Sequence, residues 1–222
     1  MGWSSWNAFY CNVNEDNVKQ NADLVVKMGL RDLGYNQINV DDCWNTVNRS
    51  AAGKLVADPK SFKSGIPSLA NYVHKQQMKL GLYTSQTAKT CAGRAGAFGH
   101  EASDAAQYCD WDVDYLKVDL CGGEKYDAVN QSWIAFQRAF AKCSSPTVLS
   151  VEYCGPDHPD GPTPLAGCGR WVASLVDLWR TSSDLQPMWD SMYSSAAANA
   201  AMVTVARPGH YNDPDMLQAQ RP

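Results

Sequence analysis

Short apolar runs alternate with amphipathic ones along the whole chain, and this alternation limits the fold more than any other feature. Residues 35–42 (YNQINVDD), 79–85 (KLGLYTS), 114–120 (DYLKVDL), 147–153 (TVLSVEY) and 176–184 (VDLWRTSSD) read as strands, with another near 202–213 and a first one opening at Met1. Helical periods lie between them. Val18, Ala22, Val25 and Val26 fall on one face of a helix within 15–30, and Val129, Trp133, Phe136 and Phe140 on one face within 125–142. Gly29, Gly34 and Gly81 are expected to punctuate the helix-to-strand joins. Strands that alternate with helices imply a parallel sheet. Their spacing, roughly 30–45 residues, suits an α/β fold of the (β/α)8 TIM-barrel type with about seven strands present. A dinucleotide-binding sheet would want G-x-G-x-x-G after its first strand, and the sequence has none there.

The polar residues carry a second pattern. Asp41 and Asp42 end one predicted strand, Asp119 another, Glu152 a third and Asp184 a fourth, while Asp213 and Asp215 follow a fifth. In barrels the C-terminal strand ends hold the chemistry. One aspartate there can be a helix cap; capping alone does not account for acids after five strands. In the segment VDYLKVDLCGG (113–123), Tyr115, Lys117 and Asp119 alternate with Leu116 and Val118, so they share a face. An ammonium beside Asp119 would favour the ionised carboxylate, which suits a nucleophile. Arg180 and Asp184 are four apart and share a face if their strand runs that far. A carboxyl acting as acid keeps its proton through burial or a neighbouring negative charge, which Asp119 could supply. Two carboxyls with divided roles are the apparatus of glycoside hydrolysis.

The chain has 222 residues and is 45% hydrophobic, enough for one large domain. Its net charge of −4 is well mixed, with no basic stripe for nucleic acid and no apolar run long enough to span a membrane. Eight cysteines, none spaced C-x-x-C, and the sequons at Asn48 and Asn130 fit an oxidising setting. The expectation is a secreted or extracellular glycoprotein whose signal has been removed, with lysosomal or vacuolar residence also compatible. Trp3, Trp6, Trp44 and Trp179 lie beside the acidic strand ends. One or two of them could pack on a sugar face, the rest being core. In DDCW, the adjacent carboxylates can accept hydrogen bonds from neighbouring sugar hydroxyls, and charged acceptors make the stronger bonds.

At these residues the chain resembles a known family. MGWSSWNAF, DDCW, KTCAGRAGAFG, YLKVDLC, WRTSSD and GHYNDPDML are similar, in order and spacing, to the signature segments of the α-galactosidase and α-N-acetylgalactosaminidase family of retaining glycosidases. The resemblance implies a (β/α)8 barrel that removes terminal α-linked galactose without a metal or organic cofactor. It implies Asp119 as nucleophile and Asp184 as general acid/base. Asp41 and Asp42 would bind the 4-OH and 6-OH edge, Trp6 would wall the pocket, and Tyr83, Lys117, Arg180, Asp215 and Met216 would complete it. It also implies disulfides between Cys91 and Cys121, lining the site, and between Cys11 and Cys43. Cys154 with Cys168 could close a short loop beside the pocket. Cys109 and Cys143 would then remain to tie two helical segments.

Three departures from the family pattern matter. The segment that reads the sugar 2-position is SVEYCGP here, with Glu152 present and the cysteine following it as Cys154. A glutamate in place of small residues favours a 2-hydroxyl over a 2-acetamido group. Around the nucleophile, Val118 and Leu120 make the shell more apolar than the family's pattern. The chain also stops after NDPDML, so residues 1–222 are expected to form a catalytic barrel truncated before its last strand, without the family's C-terminal antiparallel β domain. An unclosed barrel exposes strand edges, so this stretch alone is expected to be neither stable nor active. The partner expected is an α-galactoside oligosaccharide, polysaccharide or glycolipid. Rival readings are an α-N-acetylgalactosaminidase or β-L-arabinopyranosidase of the same family, a barrel holding Mg²⁺ on its strand-end acids, and a carbohydrate-binding protein without catalysis.

Overall fold

The computed structural model describes residues 1–121, 126–152 and 172–216, with backbone alone for 126–130. It contains two compact units, Met1–Thr147 and Val148–Pro222.

The first unit carries β1 (Gly2–Ser4), α1 (Trp6–Phe9), α2 (Glu15–Lys27), β2 (Gln37–Asn39), α3 (Ile66–Lys75), β3 (Lys79–Ser85), α4 (Glu101–Asp110), β4 (Tyr115–Asp119) and α5 (Tyr126–Phe140). Its strands pair in chain order, all parallel. Local chemistry explains the helices. Asn14 and Asn17 form a reciprocal capping box that starts α2, which buries Val18, Ala22 and Val25. In α3, Ile66, Leu69, Ala70 and Val73 make the buried stripe, with Pro67 in the first turn where its missing N–H costs nothing. In α5, Trp133, Phe136 and Phe140 are buried and the two phenylalanines stack.

Strand β4 alternates as its sequence requires: Leu116 and Val118 are fully buried, while Tyr115, Lys117 and Asp119 are half-buried on the other face. Ser85 of β3 lies opposite Asp119 and Tyr83 opposite Lys117. Gly81 is not a punctuation mark but a residue inside β3. A Cβ there would come within 2.0 Å of Asn39 Oδ1 and 2.9 Å of Tyr115 Cδ1, so the neighbouring strands need the space. Disulfides join Cys11 to Cys43, Cys91 to Cys121, and Cys109 at the end of α4 to Cys143 beyond α5. The pairing expected for Cys154 and Cys168 lies outside the described residues.

The second unit carries β5 (Val148–Val151), β6 (Leu178–Arg180), α6 (Trp189–Ala201) and β7 (Tyr211–Asp213), again parallel and in chain order. The strand expected over 176–184 is shorter, and so is the one near 202–213, whose first residues are turn. The cause is in the partner strand. The Thr181 N–H still bonds the Asp213 carbonyl, so the next rung needs the Asp215 N–H, and that N–H turns back to Asp213 Oδ1 at 2.9 Å with Asp215 at φ +81°. Seven parallel strands in chain order with intervening helices give the architecture of a (β/α)8 barrel, one strand short among the described residues. No helix among them is long and apolar enough to cross a membrane.

Candidate active site

In the first unit the acids stand at the C-terminal ends of β2 and β4. Asp119 is the last residue of β4. The Tyr83 hydroxyl donates to Asp119 Oδ2 at 2.6 Å, and the Leu120 N–H donates to Oδ1 at 2.6 Å. Burial pushes the Tyr83 phenol far above its ordinary range, with the charges of Asp119, Asp42 and Asp41 adding to the effect. The phenol is therefore a lasting donor. Ser85, absent from the expected set, ties this strand end: its hydroxyl donates to the Asp119 carbonyl at 3.1 Å and accepts from the Cys121 N–H at 3.3 Å.

Just beyond β2, Asp41 and Asp42 are both buried, and the Asp42 N–H donates to Asp41 Oδ1 at 2.9 Å. Lys117 Nζ donates to Asp41 Oδ2 at 3.0 Å and lies 5.3 Å from the Tyr83 ring centre. Asp42 is held differently. Its Oδ1 accepts from the Thr90 hydroxyl at 2.8 Å and the Cys43 N–H at 2.7 Å, and its Oδ2 accepts from the Ala92 N–H at 2.8 Å. Burial raises its carboxyl above the ordinary range against these donors, and Asp41 adds to the rise. Counted over these partners, one acceptor position remains, on Oδ2. Thr90 and Ala92 flank Cys91, so the disulfide to Cys121 joins the loop that grips Asp42 to the end of β4. These two residues were not among the expected site residues, yet they stand in the KTCAG segment, which was the available signal.

The tryptophans divide as packing dictates. Trp44 is buried, donates its Nε1–H to the Tyr83 carbonyl at 2.7 Å and packs edge-on against Tyr108 and Trp111. Trp179 is also buried. Trp6 is half-exposed on α1, edge-on to Tyr10, and Trp3 packs on Phe9. Of the four, Trp3 and Trp6 are the two that are not buried.

In the second unit one guanidinium organises the acids. Arg180, at the end of β6, donates to Glu152 Oε1 at 2.6 Å and to Asp184 Oδ1 at 3.1 Å, and lies 3.3 Å from Asp215 Oδ2. Burial opposes its charge, but Glu152, Asp215 and Asp184 together outweigh that and raise its pKa. Arg180 and Asp184 do meet as their spacing suggested, though across a loop rather than along a strand. Asp184 is not buried: its side chain is 78% exposed. The Asp215 side chain is 6% exposed; the residue sits at φ +81° and accepts from the N–H groups of Leu185 and Met216, each at 2.7 Å. Burial pushes its carboxyl up, with Arg180 and those two donors opposing.

Cys91, Asp119 and Cys121 are the group of three potential metal-ligating side chains among the described residues. Both sulfurs belong to the disulfide and offer no thiolate, so the trio is not a ligand set.

Parallel strands in series, with carboxylates gathered at their C-terminal ends, define a (β/α)-barrel protein of the kind that carries its chemistry on that face. Residues 1–220 match the family described as alpha galactosidase A, and the chain belongs to that family. It is 38% identical to alpha-galactosidase 2 of Arabidopsis thaliana over 98% of this chain and 53% of that protein. The crystal structure of alpha-galactosidase I from Mortierella vinacea superposes with a TM-score of 0.86 at 28% identity, covering 99% of this chain and 59% of that one. The Saccharomyces cerevisiae alpha-galactosidase with raffinose superposes at 0.81 and 27% identity, over 97% and 51%. The chain thus spans about half the length of the curated relatives it matches.

Proposed function

We propose that the protein is a retaining glycoside hydrolase that removes terminal α-linked galactose. The observation that carries this reading is Asp119, in a chain of this family, placed at the end of β4 with a permanent phenol donor on one oxygen and a backbone N–H on the other. Those two bonds fix the carboxylate's plane, and a nucleophile held in one orientation needs no ordering at the moment of attack.

Asp119 attacks the anomeric carbon while Asp184 protonates the departing oxygen. The bond to the aglycone breaks, and a covalent galactosyl–enzyme forms through an oxocarbenium-like transition state. Asp184 then takes a proton from water, which attacks the same carbon and releases galactose with retained configuration. By the family resemblance, Asp41, Asp42, Trp6, Tyr83 and Lys117 of the first unit and Glu152, Arg180 and Met216 of the second are the residues proposed to bind galactose. The donor Lys117 and the acceptor Asp41, already paired, give a sugar hydroxyl both halves of a hydrogen-bonding site. Glu152 argues for a 2-hydroxyl. The substrates are α-galactosides, as raffinose is in the yeast relative's structure, and the protein works outside the cytosol, in keeping with its disulfides.

The test compares nitrophenyl α-galactoside, α-N-acetylgalactosaminide and β-L-arabinopyranoside with the full-length protein, alongside Asp119→Ala. Preferred hydrolysis of the galactoside with first-formed α-galactose, and no turnover by the variant, is expected. Near-normal turnover by Asp119→Ala would sink the assignment, as would β-galactose as first product. Preference for another glycoside would move the chain to that specificity.

A further inference from the structure

The loop that carries Asp184 runs from the end of β6 to α6, and the geometry points to Asp215 as the residue that positions it. Two bonds bracket this loop. At its start, the Thr181 N–H donates to the Asp213 carbonyl at 2.9 Å. Past Asp184, the Leu185 N–H donates to Asp215 Oδ2 at 2.7 Å. One acceptor is the last residue of β7 and the other lies two residues beyond it, and the turn between them is itself fixed: Asp215 N–H donates to Asp213 Oδ1 at 2.9 Å, and Met216 N–H donates to Asp215 Oδ1 at 2.7 Å. Asp215 holds the positive φ this requires, a conformation aspartate tolerates better than most residues.

The bracket has a purpose because Asp184 cannot position itself. Its side chain is largely exposed, with one hydrogen-bond donor, Arg180, among the described residues. Asp215 lies against that same arginine at 3.3 Å. Asp215 therefore acts on Asp184 twice: through the backbone of the next residue and through the cation that holds its carboxyl. Its Oδ2 accepts from the Leu185 N–H and faces Arg180, and its Oδ1 accepts from the Met216 N–H, so the carboxylate is turned toward the loop it supports.

This inference rests on the reading of Asp184 as the acid/base, and the experiment separates the two. Asparagine at 215 keeps the size and tolerates the backbone, but presents an NH₂ to one of the N–H donors and removes the charge facing Arg180. Asp215→Asn should lower kcat/KM for alkyl α-galactosides, which need protonation of the leaving oxygen, roughly 10- to 100-fold more than for dinitrophenyl α-galactoside, which does not. Inhibition by free galactose should stay within about twofold, since general-acid alignment acts on the chemical step. Equal losses on both substrates, or weakened galactose inhibition in proportion to the loss, would overturn the positioning role. Asp184→Ala is the control. If it shows no leaving-group dependence, the acid/base assignment fails and this inference with it; if it does and Asp215→Asn does not, the inference fails alone. Should Asp215→Asn not fold, replacing the Leu185 amide by an ester removes the N–H alone and is expected to give the same leaving-group dependence; its absence there would overturn the role.

Discussion

Arg49 is where a single truncation should be most informative about how the turn behind Asp41 and Asp42 is supported. Its guanidinium meets the Asp104 carboxylate with both arms, each at 2.6 Å, and also donates to the carbonyls of Gly53 at 3.0 Å and Gly96 at 2.7 Å. Asp104, on α4, has 0% side-chain exposure and Arg49 has 12%. Arg49→Ala would leave that carboxylate buried without its counter-charge, at a cost of about 3–5 kcal/mol. For a chain of this size that is a fall in Tm of roughly 6–20 °C. The pH dependence gives a sharper test. Burial already raises the Asp104 carboxyl above its ordinary range, with Arg49 opposing. Without Arg49 the rise is greater, and the folded variant holds a proton on Asp104 that the unfolded chain has released. A folded pKa raised above the unfolded one means stability present at low pH and lost as pH rises. The deficit of the variant should therefore grow between pH 5 and pH 7, by up to about 2.7 kcal/mol. Denaturant unfolding of parent and variant across that range measures it. A deficit below about 1 kcal/mol at pH 7, or one independent of pH, would refute the argument that a desolvated ion pair holds this loop.

Three further outcomes follow from the same packing. Gly81→Ala should cost about 1–3 kcal/mol in thermal or urea unfolding, because its Cβ would fall 2.0 Å from Asn39 Oδ1, and Asn39→Ala in the same chain should return part of the loss. Asp42→Asn should flatten the acid side of the stability profile: the buried Asp42 carboxyl titrates above the unfolded value of about 3.9, so stability falls as pH rises through that window, and urea midpoints should lose one proton's worth of that slope. Removing the Cys109–Cys143 bridge, which spans 34 residues, should cost about 4 kcal/mol by loop-closure entropy, and a loss under about 1 kcal/mol in guanidinium would show the two helices already docked in the unfolded ensemble.

Much of this fold was legible because period and burial agree. The segment 114–120 alternates apolar and polar residues, and the structure buries Leu116 and Val118 while leaving Lys117 and Asp119 on the other face. Gly81 was misread because glycine has two uses. In a turn it supplies positive φ, and in a strand it makes room for neighbours. Only knowledge of which strand lies alongside tells them apart, and the side chains that need the room, Asn39 and Tyr115, are 42 and 34 residues away in sequence.

The site was legible as a set of residue types but not as a set of bonds. Lys117 and Asp119 are close in sequence, so a lysine that tunes Asp119 was the natural reading; the structure adds that Lys117 reaches Asp41 and that a phenol from the neighbouring strand holds Asp119. Arg180 and Asp184 show the opposite case. Even spacing suggested one strand face, and the two do meet, but the strand stops at Arg180 because the Asp215 N–H that the next rung needs turns back to Asp213 Oδ1. That interruption is what frees residues 181–185 to form a loop and lets Asp184 project outward. A loop is also less constrained than a strand, so it needs fixing from elsewhere. The fixing comes from the same segment that ended the ladder, since Asp213 and Asp215 flank the proline and hold the loop at both sides of Asp184. The NDPD run thus does two things at once: the turn from Asp213 to Asp215 ends the ladder, and the same two aspartates take over the work that the lost rungs would have done.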